Sequence, residues 1–147
     1  MSFLKRSEKR LNKYWTRKLP SQEKNLPRYA KTGLLPQDHH LSNLEIICAI
    51  SMMAENKTIH EVHRAIELFR NESTEEQFND PFLEKLQETI EELDGGGMRS
   101  QARKLRKIGH GIATMQNNSV WETHWSGEID KKRSSAIKDE PFLPQKG

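Results

Sequence analysis

The sequence predicts an all-α protein: a small helical bundle of about four to five helices, preceded by a basic amphipathic arm and followed by a flexible charged tail. Three observations lead there. The 147 residues include only two valines and three tryptophans beside abundant Glu, Lys, Arg, Gln, Leu and Met, a composition that favours helix over sheet. Three capping boxes follow one another: Ser42 with Glu45, Thr58 with Glu61, and Ser73 with Glu76. Between them the apolar residues recur at helical spacing.

Residues 3–18, FLKRSEKRLNKYWTRK, place Leu4, Leu11, Tyr14 and Trp15 together and the cations elsewhere, as in a short basic amphipathic helix. Pro20, Pro27, Gly33 and Pro36 then break any regular structure, so 1–40 reads as an arm and linker. A helix over about 43–56 is apolar on almost every side and should be central. A second, over about 59–70, aligns Ile59, Val62, Ile66 and Phe69. Asp80-Pro81 opens a third, with Asp80 as cap and Phe82, Leu83, Leu86, Ile90 and Leu93 on one face. Gly95-Gly96-Gly97 should stop it. The fourth, from about Met98 to Ile108 or Met115, carries Met98, Ala102, Leu105, Ile108 and Ile112 inward. Arg99, Arg103, Arg106 and Lys107 then fall outward. The bundle is expected over 41–125, and 126–147 reads as a disordered tail.

The core must be modest. Leu, Ile, Val and Phe make up 31 residues, or 21%, and mean hydropathy is -0.89. Both values lie close to the range in which chains fail to fold. The longest apolar run, residues 46–54, is about half the length that a spanning helix needs. The single cysteine, Cys48, excludes an intrachain disulfide framework. These features fit an intracellular protein of a reducing compartment, cytoplasm or nucleus.

Charge is distributed unevenly around a net of +3. Residues 1–32 hold ten Lys and Arg against two Glu, whereas 33–98 hold four against fourteen Asp and Glu. Residues 99–110 hold five cations and no acid. Such asymmetry speaks to partners rather than to fold.

Candidate sites follow from this pattern. The adjacent glycines do not match a phosphate loop, which needs spaced glycines after a strand. The Arg99 to Lys107 stripe has two readings. It contacts nucleic-acid phosphates, or it pairs with the acidic helix 80–94 across a helical hairpin. The N-terminal arm has no acidic partner of comparable size near it in sequence. Lys5, Arg6, Lys9, Arg10, Lys13, Arg17 and Lys18 are therefore expected to meet an anionic partner, with Tyr14 and Trp15 stacking on bases or entering a membrane interface. Trp121, Trp125, Phe142 and Leu143 are candidates for a protein partner.

His60 and His63 are one residue short of the zinc-helix spacing, and Cys48 sits in the most apolar helix. No enzyme activity, metal, cofactor or small-molecule substrate is expected. The chain reads as a non-enzymatic regulatory or adaptor protein that binds a partner protein through its bundle, with a basic arm attracted to RNA, DNA or another anionic partner. Direct nucleic-acid binding and a peripheral membrane-surface role are the alternatives. Nothing in the sequence sets the oligomeric state.

Overall fold

A computed structural model describes residues 6–20, 42–72 and 77–138. The described residues are all helical: α1 (Arg6–Lys18), α2 (Asn43–Asn56), α3 (Ile59–Glu72), α4 (Asp80–Gly95), α5 (Arg99–Met115) and α6 (Ser119–Lys138). That is six helices among the described residues, rather than four to five.

Local signals set most boundaries. The Ser42 hydroxyl accepts from the Glu45 N–H while the Glu45 carboxylate accepts from the Ser42 N–H, and Thr58 and Glu61 do the same. Both boxes satisfy otherwise orphaned donors at helix starts. The third box, at Ser73, lies outside the described residues. At α4 the cap is Asn79, whose side chain accepts from the Phe82 N–H, so Asp80 becomes the first helical residue. The expected cap is thus one residue late.

The two turns flanking α5 are alike. Gly97 takes a left-handed conformation (φ 86°), and the Met98 N–H returns to the Leu93 carbonyl at 2.8 Å. Asn117 does the same at the other end (φ 56°), with Asn118 N–H bonded to the Ala113 carbonyl at 2.9 Å. Both are Schellman closures, for which glycine and asparagine tolerate the backbone best. Asn118 then caps α6 by accepting from the Trp121 N–H, and its amide reaches Asp80 at 3.1 Å.

Two helices organise the packing. Helix α2 buries nine consecutive residues, Ile46–Ala54, and touches α1, α3, α4 and α5. Helix α5 touches α2, α3, α4 and α6. The loop between α3 and α4 is closed by edge-to-face rings, Phe69 on Phe78 at 5.8 Å and Phe78 on Phe82 at 4.8 Å. Trp125 of α6 is fully buried and donates to Gln87 of α4 at 2.8 Å. Trp121 is half-buried against it, with ring centroids 4.8 Å apart.

Two expected boundaries need correction. Within the expected arm and linker, 1–40, α1 belongs to the bundle, because it buries Leu11, Tyr14 and Trp15 in the common core; residues 1–5 and 21–40 lie outside the described residues. The tail does not begin at 126, because α6 continues to Lys138. Once Trp121 and Trp125 have docked the first turns, the costly nucleus exists and polar helix formers propagate it.

Helix α5 carries two interior glycines that composition alone cannot explain. A Cβ at Gly109 would lie 3.0 Å from the Trp125 ring, and one at Gly111 would overlap the His63 ring. Both positions therefore give up helix propensity so that rings from α6 and α3 can lie flat on the backbone. Gly111→Ala should lower stability by about 1–3 kcal/mol despite the better propensity of alanine, because overlap outweighs it. Gly95→Ala, which meets open space, should be neutral or slightly stabilising. Urea denaturation of both variants checks the contrast.

A buried polar chain ties three helices together. The Trp15 indole N–H donates to Ser51 Oγ at 3.1 Å, and Ser51 donates to Gln101 Oε1 at 2.7 Å. The Gln101 amide donates to Glu55 at 2.8 Å, and Lys104 reaches Glu55 at 3.5 Å and the Ala54 carbonyl at 3.1 Å. Ser51→Ala strands both the indole donor and the Gln101 oxygen, so it should cost about 1–3 kcal/mol and loosen α1. The denaturation midpoint and the Trp emission of a Trp121→Phe, Trp125→Phe background report the two effects.

Candidate nucleic-acid interface

Among the described residues the exposed cations cluster on two helices, α1 and α5, with Arg64, Lys85 and Lys131 exposed singly on α3, α4 and α6. In α1, Leu11 and Trp15 face the core, and the opposite side displays Arg6, Lys9, Arg10, Lys13 and Arg17, all exposed. At 100° per residue these five fall within one stripe, and eleven residues at 1.5 Å each make it about 16 Å long. No described carboxylate pairs with Arg6, Lys9, Lys13 or Arg17.

The flank of α1 grips the C-terminal half of α4. The Tyr14 hydroxyl donates to Glu92 at 2.6 Å, and Lys18 pairs with the same carboxylate at 2.8 Å. The Arg10 guanidinium donates to the Gly96 carbonyl at 3.0 Å, where the α4 dipole leaves negative charge. Hydrogen bonds from Lys18 and Tyr14 hold the Glu92 carboxyl below its usual range, while burial and that carboxylate push the Tyr14 phenol up.

This geometry corrects several expectations. The acidic partner for the arm exists, but it lies 74 residues away, in Glu92. Tyr14 and Trp15 are buried and hydrogen-bonded, so neither stacks on a base nor enters a membrane interface. Lys5 lies outside the described residues. In α5, Arg99, Arg103 and Lys107 are exposed, but Arg106 is buried and pairs with Asp94 at 2.9 Å. The stripe thus divides: one cation turns to the acidic helix and three turn to solvent. Only Gly97 and Met98 separate Gly96, whose carbonyl is bound by Arg10, from Arg99, so the two cationic faces adjoin at the glycine turn.

The candidate protein-docking residues fare differently. Trp125 is consumed by the core and Trp121 is half-buried on it, so neither is an exposed anchor. Phe142 and Leu143 lie outside the described residues. Among the described residues the exposed large hydrophobics are Leu68 and Val120, at 54% and 75% exposure, on different helices. They do not make a contiguous apolar patch of the kind that marks a protein interface.

The groups considered for catalysis or metal binding occupy structural positions. Burial pushes the Cys48 thiol far above its ordinary range, so it packs as a small hydrophobe. His63 turns inward onto Gly111, with a buried Nε2 that has no hydrogen-bond partner, whereas His60 is exposed. No cluster of three or more His, Cys, Asp or Glu among the described residues is placed to hold a metal ion. No described helix is long and apolar enough to cross a membrane.

No protein-family model matches the chain, and no curated protein or solved structure matches it significantly. Function is therefore argued from the residues themselves.

Burial holds the His63 imidazole below its ordinary range, against the opposing pull of the Lys107 and Ile108 carbonyls. The unfolded chain then takes up this proton at a higher pH than the folded one. The stabilising effect is complete above the unfolded value of about 6.5 and is lost as pH falls through the folded value. Electrostatic repulsion from His60 and His110 pushes the His63 value the same way. Stability should decline as pH falls below about 6.5, and His63→Gln should flatten that decline in urea titrations.

Proposed function

We propose that the protein is a non-catalytic accessory protein that binds nucleic acid through phosphate contacts from α1 and the outer face of α5. The observation that carries this reading is the row Arg6, Lys9, Arg10, Lys13 and Arg17, turned outward on a helix whose other side is locked into the core. A cationic row of this kind, in which Arg6, Lys9, Lys13 and Arg17 pair with no described carboxylate, neutralises phosphates and releases their counterions. Arg99, Arg103 and Lys107 extend the positive surface across the Gly95-Gly96-Gly97 turn. The regulatory or adaptor role through a protein partner remains compatible with the outer faces of α3 and α4, but no exposed aromatic anchor supports it among the described residues.

The variant Arg6→Gln, Lys9→Gln, Lys13→Gln, Arg17→Gln removes four exposed charges and spares Arg10, which holds the α4 end. Binding to mixed-sequence nucleic acid should weaken uniformly across sequences. The log-log salt slope should fall by about one per lost phosphate contact. Circular dichroism verifies that the fold is unchanged. If the full chain shows no salt-dependent retention on nucleic acid at moderate ionic strength, the reading is wrong. Retention on anionic vesicles but not on nucleic acid would instead favour a membrane-surface role.

A further inference from the structure

The nature of the cationic face narrows the kind of nucleic acid it suits. Single-strand binders combine a positive groove with aromatic platforms on which successive bases stack. Here the described aromatic residues that accompany the cations in sequence, Tyr14 and Trp15, point the other way. Tyr14 and Trp15 form an edge-to-face pair with ring centroids 5.0 Å apart, buried against α2, with both polar tips occupied by Glu92 and Ser51. Phe69, Phe78, Phe82 and Trp125 are buried too. The half-exposed Trp121 follows the C-terminal end of α5, the end away from the glycine turn, and is covered by Trp125 and His124. The described cationic face thus offers charge and no stacking surface.

The helix also fixes the spacing at which these cations leave the backbone. Apart from the adjacent Lys9 and Arg10, the stripe advances by three or four residues at a time, about 4.5–6 Å along a straight helix. A duplex presents a rigid lattice with one phosphate charge per about 1.7 Å of axis, twice the linear density of a single strand. A flexible strand must be ordered to match a rigid row, and without stacking nothing offsets that ordering.

We infer that the α1 stripe recognises the phosphate backbone of a nucleic-acid duplex, in preference to single strands and without reading base sequence. This rests on the proposed nucleic-acid function and specifies its ligand. Because phosphate contacts fix position but carry no sequence information, duplexes of unrelated sequence should be bound equally.

Fluorescence anisotropy of the full chain with a short mixed-sequence duplex and each of its separated strands, at matched salt, tests the inference. The duplex should bind at least about tenfold more tightly than either strand, and the salt slope should be steeper for the duplex. The four-site glutamine variant should lose most of the duplex affinity and should narrow the difference between duplex and strands. Scrambling the duplex should change nothing. Equal or tighter binding of the single strands, or a duplex preference that the variant leaves intact, overturns the inference while leaving nucleic-acid binding standing. Binding of neither form overturns both.

Discussion

The hydrogen bond from the Trp15 indole to Ser51 begins a chain that runs on through Gln101 to Glu55 and Lys104, across α1, α2 and α5. Indole carries a large apolar body and one obligatory donor, so it can be buried only where an acceptor waits. Ser51 supplies that acceptor in the middle of the most apolar helix, and its own proton goes to Gln101. Each member satisfies the next, which lets polar atoms lie inside a core that has few apolar side chains to spare. The consequence reaches the surface. With Trp15 fixed inward, helical geometry leaves Arg6, Lys9, Arg10, Lys13 and Arg17 facing out.

Helix α5 meets the same demand for close packing by removing side chains. Gly109 and Gly111 let the rings of Trp125 and His63 rest on its backbone, so α6 and α3 approach more closely than alanine would allow. The loss of helix propensity is of order 1 kcal/mol per glycine. Good contact with a large ring exceeds that. The helix thus serves as a crossroads for four neighbours, with its remaining outward face free for Arg99, Arg103 and Lys107.

Electrostatics acts differently at the two ends of the exposure scale. Arg106, buried beside Asp94, belongs to the fold, since removing Asp94 would take away the carboxylate with which the buried guanidinium pairs. Lys18 with Glu92 is a partly exposed pair and contributes modestly. Its effect is to help orient α1 beside the Tyr14 to Glu92 hydrogen bond. The exposed arginines and lysines add little to stability and leave an unbalanced positive field on the outer side of α1 and α5.

The all-α class, the starts of α2 and α3, the span of α5 and the stop at the glycines were legible because they depend on neighbours within four residues: caps, periodicity and backbone freedom. The repeated closure at Asn117 was legible in principle, since asparagine tolerates the left-handed region, but its polar surroundings resembled a fading helix. Whether Tyr14 and Trp15 faced a ligand or the core was not local information. Helical spacing puts them on an apolar side, but only the acceptors Ser51 and Glu92, 36 and 78 residues away, determine that the side is occupied. Arg106 could be separated from Arg99 and Arg103 only once the hairpin angle brought Asp94 beneath it. By itself, the sequence determined most of the helical segments, though not the length of α6, and where positive charge is carried. The tertiary structure decided which of those charges are left over, because charge is a property of a residue while availability depends on what the rest of the chain has already paired or buried.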